Sequence, residues 1–125
     1  MKRLATASVF LLLAWGCDSG PSGPGDLTGE VRSTGTDLGG AVLQVVGKGI
    51  DGFSGVGGSR VFWAPIDVAD TYRVVVITDS PGDLHFRVSV QDLGEQAPAA
   101  AVVNLVDGQN TNLPATKDYQ VRFTN

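Results

Sequence analysis

The chain has 125 residues and a formal net charge of −4, enough length for one domain and too acidic for a nucleic-acid groove or a polybasic membrane patch. Hydrophobic residues make up 42% and charged residues 18%, the balance of a globular protein rather than of a disordered tail. The 17 glycines follow no collagen-like period and read as turns between short strands, and the single cysteine, Cys17, excludes an intramolecular disulfide.

The chain opens on a positive pair, Lys2 and Arg3, followed by an apolar stretch centred on Val9-Phe10-Leu11-Leu12-Leu13. That is the pattern of a secretory leader, and the stretch is too short to cross a bilayer, which takes about 20 residues. Ala14-Trp15-Gly16-Cys17 comes next. This resembles the bacterial lipobox, with Trp15 standing where that family usually has a small residue. The resemblance implies cleavage before Cys17, a diacylglyceryl group on its sulfur, palmitate-type acyl chains, and a place in the bacterial cell envelope. Two or more acyl chains hold a protein to a membrane stably, where one does not. Removal of Lys2 and Arg3 with the leader makes the rest of the chain more acidic still.

Asp18-Ser19-Gly20-Pro21-Ser22-Gly23-Pro24-Gly25 offers no apolar side chain to bury and reads as a spacer. The predicted plan is a signal peptide over 1–16, a lipidated cysteine and tether over 17–26, and a domain over 27–125.

From Leu27 onward the apolar period is two. Glu30-Val31-Arg32 is expected in a first, edge strand. Residues 41–46 and 61–63 are strand candidates. Residues 72–78 are β-branched and almost continuously apolar, which suits a central strand. Leu84, Phe86, Val88 and Val90 alternate with polar residues, as do Tyr119, Val121 and Phe123, so both runs read as half-buried strands. Residues 99–106 start alanine-rich, yet Val102, Val103, Leu105 and Val106 followed by Asp107-Gly108 favour a strand ending in a turn. Gly39-Gly40, Gly57-Gly58, Ser80-Pro81-Gly82-Asp83 and Asp107-Gly108 are the predicted connectors. About seven short strands spaced by turns predict an all-β fold, a single β-sandwich. The order of elements from residue 40 to 108 loosely resembles a cohesin-type or immunoglobulin-like sandwich, carried by residues 41–46, 72–77 and 84–90. The resemblance is one of pattern and carries no specificity residue with it.

No catalytic, cofactor or metal set stands out. His85 is the lone histidine, expected on the outer side of its strand with Asp79 and Asp83 near in sequence; Ser80 and Ser89 lack a nucleophile-elbow context. One histidine makes no zinc cluster, and Asp107-Gly108-Gln109-Asn110-Thr111-Asn112 lacks the alternating ligands of a calcium loop. Phe62 and Trp63 are adjacent, so on a strand they face opposite ways and one of them faces outward; these two are the candidate ligand contacts. The expected function is therefore non-catalytic: a membrane-anchored envelope lipoprotein with a binding or structural domain. A carbohydrate-binding module is the alternative, and a small hydrolase using His85 ranks last. The expected partners are the membrane, through the lipid, and a protein or a glycan, not a nucleic acid.

Overall fold

The structure is a computed structural model that describes residues 22–114 and 119–125. Cys17, the leader before it and residues 18–21 of the expected tether lie outside the described residues. The described residues form eight strands and no helix: β1 (Gly25–Ser33), β2 (Leu38–Val46), β3 (Ile50–Gly55), β4 (Ser59–Pro65), β5 (Thr71–Gly82), β6 (Leu84–Val90), β7 (Ala99–Asp107) and β8 (Tyr119–Thr124). They build two four-stranded antiparallel sheets, β3-β6-β1-β8 and β4-β5-β2-β7, packed as a sandwich. The all-β sandwich expected from turn spacing is what the chain forms, with eight strands.

The pairings nest about the β4–β5 hairpin: β4 with β5, β3 with β6, β2 with β7 and β1 with β8. The β1–β6 and β2–β5 ladders then join these pairs into two sheets. Except across β4–β5, every connection changes layer, so inward side chains of consecutive strands meet across the core. Val31, Leu84, Phe86 and Val88 from one sheet, and Leu38, Leu43, Val45, Val74 and Val76 from the other, are fully buried. Alternation was enough to place the β6 residues, because β6 buries Leu84, Phe86, Val88 and Val90 and turns the residues between them outward.

Three expectations need correction. β1 is not an edge strand but lies between β6 and β8. Its second neighbour, β8, comes from the far end of the chain, which no local pattern announces, whereas β5, expected to be central from its apolar run, does lie between β4 and β2. Gly39-Gly40 is not a connector but sits inside β2, where the register shifts by a bulge between Leu38 and Gly40. Ser80-Pro81-Gly82-Asp83 is likewise mostly strand: β5 runs through Gly82, and Asp83 alone separates it from β6. Pro81 falls in the stretch between Ile77 and Gly82 that the β2–β5 register skips, and beyond Thr78 where the β4–β5 register ends, so no ladder needs its missing N–H.

The strand reading of residues 99–106 holds, with a bulge. The β2–β7 register shifts between Val42 and Leu43, which pair with Asn104 and Val102. The extra residue, Val103, is pushed out to solvent, which explains why the apolar pattern of β7 changes phase there.

The start of β1 is fixed to the loop after β6. The Gly23 N–H donates to Asp92 Oδ1 at 2.9 Å, and the Leu93 N–H donates to the Gly23 carbonyl at 2.8 Å. The N–H groups of Gly94 and Gly23 hold the Asp92 carboxyl below its ordinary value of 3.8. The chain therefore leaves the sandwich at one defined end, shared by Lys48, the β4–β5 turn and Asn125.

Candidate functional site

The two outer faces differ in chemistry. On β3-β6-β1-β8 the outward positions of β1 are Asp26, Thr28, Glu30 and Arg32, those of β6 are His85, Arg87 and Ser89, and those of β8 are Gln120, Arg122 and Thr124. They pair across the ladder. Arg32 Nε lies 3.5 Å from Asp83 Oδ2, Arg87 Nε lies 3.8 Å from Asp26 Oδ2, and Ser89 Oγ donates to Asp26 Oδ1 at 3.0 Å. Such exposed pairs add little stability each, but they make the face a solvated one.

His85 belongs to this face. Its Nε2 sits 3.1 Å from Glu30 Oε2, and Arg122 Nη2 sits 3.5 Å from Glu30 Oε1. Register explains the meeting, since Glu30 faces His85 on β6 and Arg122 on β8. Asp79 and Asp83, the neighbours in sequence, are engaged elsewhere, with Arg60 at 3.3 Å and Arg32 at 3.5 Å. The partner acid comes from a strand 55 residues away in the chain, which no local pattern announces. The His85 ring meets no hydroxyl within hydrogen-bond distance among the described residues, and Ser89 is committed to Asp26.

Partial burial pushes the Glu30 carboxyl up. The hydrogen bond with His85, the charges of Arg32 and His85 and the contact with Arg122 outweigh it and hold the carboxyl below its ordinary value of 4.5. A carboxyl lowered on folding stabilises the folded state above the unfolded value and loses that contribution as pH falls through the folded one. Glu30→Gln is thus expected to lower the unfolding midpoint at pH 6 and to shrink the drop between pH 6 and about pH 3. The effect stays within about 1 kcal/mol, the ceiling for exposed pairs. Thermal melts of both proteins across that range read it, and an unchanged acid slope would contradict the assignment.

The polar run after β7 is a closed turn. Asp107 Oδ1 accepts the N–H of Gln109 and of Thr111, both at 2.9 Å, and Asn110 takes a left-handed φ of 63°. That carboxylate is already spent on backbone. No group of three or more His, Cys, Asp or Glu side chains is arranged to hold a metal among the described residues.

Phe62 and Trp63 do face opposite ways. Trp63 turns inward at the sandwich edge where β3 and β4 meet. Its ring stands edge-to-face with Phe53 at 5.4 Å and with Tyr72 at 5.9 Å, and Phe53 and Tyr72 meet at 5.6 Å. This three-ring cluster closes one side of the core, so Trp63, though 40% exposed, is held in packing. Phe62 is 59% exposed on the outer face of β4-β5-β2-β7 and has no aromatic neighbour among the described residues.

Around Phe62 that face is apolar. The registers align Phe62 with Val75, Val42 and Asn104 in one cross-strand row. The adjoining row is Arg60, Ile77, Gly40 and Val106. Gly40 carries no side chain, and a Cβ there would stand 3.3 Å from Val106 Cγ2 and from the Val76 carbonyl. The missing side chain leaves a hollow of about 200 Å³ between Val42, Val75, Ile77, Asn104 and Val106. Val103 is exposed beside this patch on β7, and exposed Val46 lies past the polar Gln44–Arg73 pair. Contiguous apolar surface of this kind marks an interaction site in soluble domains.

Sequence reasoning put one of Phe62 and Trp63 outward without choosing between them, and it missed Val42, Val75, Ile77 and Val106. The signal was present. Residues 41–46 and 72–78 are apolar on both sides of their strands, whereas 84–90 and 119–123 alternate. Strands apolar on both sides ask for cover on both faces, and here one face has none within the described residues.

No family model matches the chain, and neither a curated protein nor a solved structure is significantly similar to it.

Proposed function

We propose that the chain is a lipid-anchored, non-catalytic contact module of the bacterial cell envelope. Its working surface is the outer face of β4-β5-β2-β7. The observation that carries this reading is the contrast between the two faces: ion pairs cover one, and exposed Phe62 with half-buried Val75, Ile77, Val42 and Val106 forms the middle of the other. Burying that apolar area on a partner is favourable by about 25 cal/mol per Å², whereas burying the ion-paired face would cost desolvation.

The anchor is the other half of the proposal. Lys2, Arg3, the apolar stretch and Ala14-Trp15-Gly16-Cys17 supply it, and the pinned Gly23 gives it an attachment point on the domain. A chain reaches at most about 3.3–3.6 Å per residue, so the step from Cys17 to Gly23 keeps this end of the sandwich within about 20 Å of the lipid. Among the described residues no helix is long and apolar enough to cross a membrane.

Mass spectrometry of the protein from native membranes is expected to find residues 1–16 removed and Cys17 carrying a diacylglyceryl thioether. A free thiol at Cys17, or a retained leader, would end the anchored reading. For the face, a photo-reactive amino acid at position 62 is expected to give adducts in the membrane, and one at position 87 none.

The exposed ring of Phe62 on a flat sheet also favours a second reading, a carbohydrate-binding module that stacks a sugar ring. A glycan array probed with the full-length protein separates the two, because only the second reading expects glycan signals that Phe62→Ser removes. Trp63 is the weaker choice for such stacking, since Phe53 and Tyr72 already pack against its ring.

A further inference from the structure

We infer that the occupant of the apolar face is a second copy of this chain, docked face to face about a two-fold axis parallel to the strands. The inference rests on the proposed working face and names its partner.

The face is self-complementary under that symmetry. The strand order is β4-β5-β2-β7, so a two-fold axis running along the strands between β5 and β2 sets β4 of one copy over β7 of the other, and β5 over β2. The exposed Phe62 on β4 then stands over the other copy's β7 side, beside the Gly40 hollow. A hollow of about 200 Å³ takes a phenyl ring, since an engineered cavity of about 150 Å³ already binds benzene. The knob and the hole occur on one surface and are used twice. Rotation about that axis keeps height along the strands, so Phe62 stands over Asn104, its row-mate on β7, which lines the hollow one row from Gly40.

Charge favours the same pairing. The mature chain is acidic, and two acidic bodies repel. The acids gather on the other face and in the end loops. This face carries Arg60, Arg73 and Asp79, with Arg60 and Asp79 paired at 3.3 Å. Two copies meeting on this side therefore bring no cluster of acids together.

The area suffices for a membrane-held dimer. Four strands about 4.8 Å apart and about seven residues long at about 3.3 Å per residue cover about 19 by 23 Å. Two such faces in contact remove on the order of 1,000 Å² from water, the lower bound for a specific interface. Tethering raises the effective concentration, which lets a weak interface fill. Both copies attach by the end that holds Gly23, so an axis along the membrane normal leaves both tethers pointing at the lipid. Aligned sheet packing, with strand directions within about 30°, is the geometry sheets adopt when they stack face to face.

The edges offer a poorer contact. β7 carries a bulge, β4 ends in Pro65, and β3 and β8 are six residues each, all devices that discourage strand addition.

The test uses the full-length protein in native membranes and in detergent. With a photo-reactive amino acid at position 62, the expected product has twice the protomer mass and maps to β2 or β7 of the second copy. In detergent, sedimentation of the wild-type protein is expected to show dimers, and Phe62→Ser is expected to weaken them at least tenfold with the circular-dichroism spectrum unchanged. Arg87→Ser, on the opposite face, is expected to leave the dimer intact. An adduct at any other mass, or with lipid, overturns the second-copy inference while keeping the working face. No adduct from position 62 overturns both. A wild-type monomer at all concentrations tested, with crosslinks absent in membranes, also overturns the dimer.

Discussion

Phe86→Ala is expected to lower the unfolding free energy by about 3–5 kcal/mol, the range for deleting a buried aromatic ring. Phe86 is fully buried at the middle of β6, the second strand of its sheet, and its ring meets Phe123 edge-to-face at 5.9 Å with the planes 89° apart. It is also the largest of the fully buried side chains. A domain of this size is stable by about 5–15 kcal/mol, so the variant should lose a large share of its stability and unfold at much lower urea. Chemical unfolding of wild type and variant measures the difference. A loss below about 1 kcal/mol would mean that Phe86 does not organise the core.

The second large effect is expected at Gly29, and it comes from the same ring. Gly29 sits in the middle of β1 with Phe86 as its register partner on β6 and Phe123 as its partner on β8. A Cβ built at Gly29 would collide with the Phe86 ring, which lies across the glycine. Gly29→Ala should therefore destabilise by about 1–3 kcal/mol through overpacking, although alanine is ordinarily the better strand residue of the two. The cause is a specific contact, so it can be relieved. Phe86→Leu in the Gly29→Ala background is expected to cost less than Phe86→Leu alone, a coupling that a double-mutant cycle reads directly. Strict additivity would show that the ring does not need the glycine.

The pairing of Gly29 with Phe86 shows where sequence reading stops. Gly29 alone reads as a weak point in a strand. In the sheet it is central, because the aromatic rings on both flanks cover the space that its missing side chain leaves. The same holds for His85. Its outward direction was legible from the alternation of β6, but its acid was sought at Asp79 and Asp83, close along the chain. Glu30 fills that place because the β1–β6 register brings it opposite. Gly40 is the third case: read as a turn, it is a strand residue whose absent side chain opens a hollow beside Val42 and Val106.

Composition and period alone determined that this chain builds strands, which side of β6 and β8 faces the core, that β7 is not a helix, and that Phe62 and Trp63 diverge. These properties depend on side chains one or two residues apart, so they are written locally. The tertiary structure decided that β1 became central, which acid met His85, which of the two aromatics was captured by Phe53 and Tyr72, and that the apolar sides of β2, β5 and β7 share one open face. Each of those outcomes depends on pairings between distant segments, and a strand carries the preference for its face without the address of its neighbour.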